Sequence, residues 1–132
     1  MEPVEGRGRQ VLVVDDEPLI RWALTETLAA VGYTVRQAPD GRAAIRILED
    51  PDHQIDVILL DYRLPDSTDL QLLSRVRALE PHAVVIMMTA YSSPEMAREA
   101  LARGASRVVQ KPFDMRAAQR MVEQAAEARD AA

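Results

Sequence analysis

The chain has 132 residues, 48% hydrophobic and 28% charged, which fits one globular domain with a single sizeable core and excludes an intrinsically disordered chain. Its formal net charge of −5 argues against a nucleic-acid-binding face, and the lack of cysteine excludes disulfides, thiolate metal sites and thiol catalysis. No apolar run approaches the roughly 20 residues needed to cross a bilayer, and MEPVEGRGRQ has no apolar leader core, so a cytoplasmic protein without membrane contact is expected.

Residues 1–9 carry Pro3, Gly6 and Gly8 among charges and read as a flexible lead-in, followed by one domain over residues 10–128 and a frayed end at 129–132. Gln10 to Asp15 is a β-favouring run that ends on adjacent acids. Pro18 suits the first turn of a helix, with Asp16 as its expected N-cap. Ile20, Ala23, Leu24, Thr27, Leu28 and Val31 fall on one helical face before Gly32 stops the helix. Trp22 falls off that stripe and is expected to be exposed.

Tyr33 to Ala38 reads as a second strand, and Arg42 to Glu49 as a second helix with Ala43, Ala44, Ile47 and Leu48 inward. Pro51 and Asp52 break it. Ile55 to Leu60 then forms a strand that carries Asp61, and Asp66 to Leu79 a helix packed through Leu70, Leu72, Leu73, Val76 and Leu79. Ala83 to Thr89 is a strand buried on both faces. Ser93-Pro94-Glu95 signals the start of a fourth helix that runs to Arg103, with a thin stripe of Met96, Ala97, Ala100 and Leu101. So thin a stripe predicts a weakly anchored, movable helix. Ser106 to Gln110 supplies a fifth strand, and Asp114 caps a last helix from Met115 to about Ala128. His53 and His82 fall in polar loops and are expected at the surface.

Five strands alternating with five helices predict an α/β fold with a parallel sheet covered on both faces. In such sheets ligands sit beyond the carboxyl ends of the strands. Those ends carry Asp15 and Asp16, Asp61, Thr89 and Lys111. Together they have a formal charge of −2, which one hard divalent cation such as Mg²⁺ would neutralise. Clustered carboxylates raise one another's pKa, so a cation and Lys111 are needed to keep Asp61 ionised as a nucleophile. The metal, Lys111 and the Thr89 hydroxyl would then face the three equatorial oxygens of a transferring phosphoryl group. Of the 16 basic residues Lys111 is the only lysine, which marks it as a position that needs a compact ammonium.

VLVVDDEP, LLDYRLPD, MMTAY and VVQKPF, in this order across about residues 10 to 128, resemble the receiver domain of two-component response regulators. RWALTETLAAVGY and KPFD are also similar, more weakly, to receivers of sigma-54-dependent transcriptional activators. The resemblance implies a flavodoxin-like (βα)5 fold with strand order 2-1-3-4-5, and Mg²⁺-dependent phosphoryl transfer from a histidine kinase or phosphotransfer protein. It implies Asp61 as phosphoacceptor, Asp16 as a direct metal ligand, Asp15 as a ligand through water, and the Arg63 backbone carbonyl on the metal. Thr89 and Lys111 would contact the phosphoryl group. A homodimer through the fourth helix, fifth strand and fifth helix, and a downstream output domain, are further expectations from the family.

Three positions depart from the family pattern. Val108 stands where an aromatic switch residue is usual, and Thr68-Asp69 where glycine is common. Arg63 and Tyr91 occupy the two positions that tune phosphoryl lifetime, and their bulk predicts a long-lived acyl phosphate. Two other functions compete with a phosphorylated switch. A pseudo-receiver acting through constitutive contacts is disfavoured by the complete acidic set and Lys111. An aspartate-based hydrolase needs a second acid two residues after the nucleophile, where this chain has Arg63.

Overall fold

The computed structural model describes residues 8–67 and 70–131. Its elements are β1 (Gln10–Val14), α1 (Pro18–Ala30), β2 (Thr34–Ala38), α2 (Gly41–Glu49), β3 (Val57–Asp61), α3 (Gln71–Leu79), β4 (Val84–Thr89), α4 (Pro94–Ala102), β5 (Arg107–Gln110) and α5 (Met115–Ala131). The five strands form one parallel sheet in the order β2-β1-β3-β4-β5, as the family resemblance implies. Residues 1–7 of the expected lead-in, and Thr68-Asp69, lie outside the described residues.

Successive side chains of a strand point to opposite faces of a sheet, and two apolar layers follow from that alternation. Leu12, Val14, Ile58, Leu60, Val85 and Met87 pack on the side that buries Ile45, Leu48, Leu73 and Val76 of α2 and α3. Val11, Val13, Val57, Leu59, Ile86 and Met88 pack on the other side against Leu24 and Leu28 of α1 and Met121 and Val122 of α5. The three central strands are therefore apolar on both faces, and chain polarity is confined to their ends.

Several helix details differ from expectation. Asp16 does not cap α1: Glu17 holds the N-cap position without a side-chain bond, and the carboxylate of Asp15 accepts the Glu17 N–H at 2.9 Å. The third helix starts at Gln71 rather than Asp66, because both Asp66 oxygens are bound elsewhere, to the N–H groups of Gly41 and Arg42 at 2.8 and 2.9 Å. The loop after β3 is thereby pinned to the N-terminus of α2, where Asp40 also caps by accepting from Ala43 N–H. Ile45 belongs to the buried face of α2, and Leu79 at the end of α3 is exposed. Ser93 and Asp114 cap α4 and α5 as expected.

The last helix runs through Ala131, past the expected end near Ala128. Buried Ala125 and Ala126 hold it to the sheet, Arg9 pairs with Asp130, and Arg129 pairs with Asp56 at 3.2 Å. His53 is not a free surface residue. Its imidazole is largely covered, touching the Asp50 carbonyl and the Glu80 carboxylate, and so ties the turn before β3 to the turn before β4. Trp22 is exposed, as its place off the stripe predicts.

Candidate functional site: an acidic mouth at the strand ends

Pairing of β1 with β3 and of β3 with β4 in near-level register brings Asp15 and Asp61 to the same edge of the sheet, with Thr89 beside them. Rigid apolar strands hold all three in place. Asp15 is wholly buried, Thr89 is 3% exposed and Asp61 6% exposed, and no other polar residue among those described is buried to this degree. Burying charge is costly unless it is paired. Lys111 supplies the pairing, with Nζ at 2.7 Å from Asp15 Oδ2, 3.2 Å from Glu17 Oε1 and 3.3 Å from Asp61 Oδ2. It arrives on the segment after β5, through a cis Lys111–Pro112 peptide and a backbone bond from Lys111 N–H to the Thr89 carbonyl at 2.8 Å.

Burial, then the charge of Asp15, push the Asp61 carboxyl up to about 6, against the opposing pull of Lys111 and of the Arg63 N–H, which donates to Asp61 Oδ1 at 3.3 Å. Burial by itself would lower Lys111, but its bonds and charge contacts with Asp15, Asp61 and Glu17 leave it raised and firmly cationic. Three carboxylates, those of Asp15, Glu17 and Asp61, therefore face one ammonium. The mouth retains an excess of negative charge.

Asp15, Asp16, Glu17 and Asp61 each offer a carboxylate oxygen within one sphere, all four lying within 4.8 Å of one another. An all-oxygen, carboxylate-rich set of this kind suits a hard cation. The sequence-based site therefore assembles as expected for Asp15, Asp16, Asp61, Thr89 and Lys111, which reach one place from four strand ends. Arg63 also lines the mouth, a cavity of about 340 Å³, together with Tyr62 and Tyr91. Glu17 was missed. It falls outside the expected ligand set, yet its carboxylate reaches Lys111; the acidic run Asp15-Asp16-Glu17 is the signal that points to it. Thr89 carries a further constraint, since its Oγ1 donates to the Tyr91 carbonyl at 2.9 Å and accepts from the Tyr91 N–H at 3.1 Å.

A doubly wound parallel sheet whose strand ends gather carboxylates around one lysine defines a flavodoxin-like domain with a hard-cation mouth. Residues 11–123 match the family model of the response regulator receiver domain, and the chain belongs to that family of two-component signalling domains. It is 39% identical over 106 residues to the regulatory protein AtoC of Escherichia coli K12, which covers 80% of this chain and 23% of AtoC. It is 34% identical over 108 residues to sporulation initiation phosphotransferase F of Bacillus subtilis, covering 82% of this chain and 86% of that protein. Among solved structures, a CheY-like receiver domain protein from Methanospirillum hungatei JF-1 superposes with a TM-score of 0.87 at 26% identity, over 93% of this chain and 97% of the other. The chain thus spans about a quarter of AtoC. No helix among the described residues is long and apolar enough to cross a membrane.

Proposed function

We propose that this receiver accepts a phosphoryl group on Asp61 from the phosphohistidine of a sensor histidine kinase or phosphotransfer protein, and that Mg²⁺ is required. The observation that carries this is the buried Asp61 carboxylate, held beside Lys111 and within reach of three further carboxylates. An Asp61 oxygen attacks phosphorus and the P–N bond breaks. The histidine imidazole leaves with the electron pair and takes up a proton. Bound at Asp15, Asp16, Asp61 and the Arg63 backbone carbonyl, Mg²⁺ would offset charge on the incoming phosphoryl oxygens; Glu17 adds a carboxylate at the rim. Lys111 stabilises a second oxygen, and Thr89 Oγ1 donates to a third once it leaves the Tyr91 carbonyl.

The domain, residues 10–128, is read as a cytoplasmic switch rather than a turnover enzyme: Arg63 stands where a hydrolase would carry its second acid. Its output surface is the face of α4, β5 and α5, used for homodimerisation or for an attached output domain of the transcription-regulating kind. Incubation with Mg²⁺ and acetyl phosphate, followed by intact mass measurement, should add one phosphoryl group to the wild type and none to Asp61→Ala or to either protein in EDTA. An unmodified wild type, or equal modification of Asp61→Ala, overturns the assignment.

A further inference from the structure

A second concavity lies away from the acidic mouth, on the face formed by α2 and α3. It is a groove of about 670 Å³, within the range of about 300–1,000 Å³ typical of small-molecule sites. Arg42 and Arg46 line it one helical turn apart on α2, and Arg75 lines it from α3. All three are exposed, and among the described residues none has an ion pair or a side-chain hydrogen bond. The nearby carboxylate of Asp66 has both oxygens on the N–H groups of Gly41 and Arg42 and feels the charge of Arg42, so it offsets part of the positive charge at that end of the groove and leaves Arg46 and Arg75 clear of it. In a chain of net charge −5, three guanidiniums on one groove run against the overall charge; the Arg42 charge acts on Asp66, whereas Arg46 and Arg75 have no carboxylate partner among the described residues.

Exposed arginines are commonly just solvated. What separates these three is the concave surface they share with two buried apolar side chains, Ile45 and Leu72. A guanidinium presents a planar fork of donors that matches phosphate oxygens two at a time. Glu49 lines the same groove and would repel a long polyanion, so the charge of a suitable ligand is confined to one end.

We propose that the α2–α3 groove is a second binding site, for a small phosphate-bearing ligand of nucleotide size. Arg42, Arg46 and Arg75 hold its phosphates, and Ile45 and Leu72 underlie its less polar part. This inference is independent of the role proposed for Asp61. The test is an amide NMR titration of the ¹⁵N-labelled chain without Mg²⁺, using ATP and, separately, pyrophosphate.

Saturable shifts at Gly41, Arg42, Ser67 and Gln71 are expected with ATP at a Kd below about 1 mM, and weaker binding at the same amides with pyrophosphate. The Arg46→Ala/Arg75→Ala double variant should raise the Kd by at least about tenfold while amides of β1 and β3 keep their shifts, which shows that the fold is intact. Absence of saturation by about 5 mM, an unchanged Kd in the double variant, or shifts confined to the acidic mouth would each overturn the proposal. So would binding of a single-stranded RNA where ATP fails.

Discussion

At the scale of single residues, the mouth stores an electrostatic conflict between Asp15 and Asp61 that Lys111, helped by the Arg63 N–H, partly relieves. Asp61 titrates near 6 in the folded chain against 3.8 ordinarily, so the folded state keeps a proton that the unfolded chain releases. The sign follows for a raised pKa: the stabilising contribution is complete below about 3.8, is lost as pH rises through about 6, and above that the ionised group opposes folding. Asp61→Asn should therefore raise the unfolding free energy in EDTA at pH 8 by on the order of 1–3 kcal/mol, with little effect at pH 4. The loss of one Lys111 contact takes back part of that gain. Urea denaturation at the two pH values checks this, and equal stabilities at pH 8 would refute it. Lys111→Met should act in the opposite direction, costing roughly 3 kcal/mol at pH 8, because Asp15 is left buried without its cation. Mg²⁺ should restore more stability to that variant than to the wild type, measured as the shift in urea midpoint between EDTA and saturating metal.

At the scale of elements, the joints between helices were the least legible part of the chain. Strand positions and helix stripes follow from periods of 2 and 3.6, which neighbouring residues announce. Asp66 is different: its capping partners Gly41 and Arg42 stand 25 and 24 positions away, and nothing local distinguishes a carboxylate that starts its own helix from one that closes another. The same holds for His53 with Glu80 and for Glu17 with Lys111. Leu101 shows the converse limit, since it falls on the apolar stripe of α4 yet is 48% exposed, no neighbouring element among the described residues covering it. Asp15, Asp61 and Thr89 are legible because each terminates an apolar run, Asp16 because it doubles the first acid, and Lys111 because it is the one lysine of the sequence and stands just past a strand. Asp66→Ala should cost about 0.5–2 kcal/mol in unfolding free energy, as for loss of an N-cap, though the residue is outside α2.

The C-terminal end of α4 offers a sharper case. Arg77 of α3 donates through its guanidinium to the carbonyls of Glu80, Pro81 and Ala83 at 3.1, 3.0 and 2.6 Å and to that of Gly104 at 2.8 Å. Gly104 has φ +112°, and a Cβ there would lie 2.8 Å from Arg77 Nε. Gly104→Ala should therefore destabilise the chain by about 1–3 kcal/mol, from left-handed strain and displacement of this clamp. Thermal melting of the variant tests the prediction, and an unchanged midpoint would show that the clamp yields freely.

At the scale of the whole molecule, α4 is held more firmly at its C-terminal end than at its start. Its C-terminus is fixed by the Arg77 clamp and by Arg103 on Ser74 at 3.3 Å, whereas Ala100 is its sole fully buried residue among those described and its first turn, with Pro94 and Glu95 exposed, is held by the Ser93 cap and by a partly buried Met96. The loop that leads into that looser end begins at Thr89, whose hydroxyl holds both the N–H and the carbonyl of Tyr91. Val108 packs into the core layer on the α2 and α3 side and is too short to swing between two positions as an aromatic ring would. Transmission in this chain is therefore expected to run through the Thr89–Tyr91 turn. Under the phosphorylation proposed for Asp61, the Thr89 hydroxyl would turn to a phosphoryl oxygen, the turn would lose its hold and the first turn of α4 would loosen with it. Amide exchange in residues 90–97 should accelerate severalfold on addition of Mg²⁺ and acetyl phosphate, while residues 99–103 and β1 stay unchanged. Thr89→Ala should still be phosphorylated on Asp61 but exchange rapidly over residues 90–97 with or without the phosphodonor, since its turn is already released. A variant that keeps the wild-type response would move the coupling elsewhere, to the Lys111 side of the mouth.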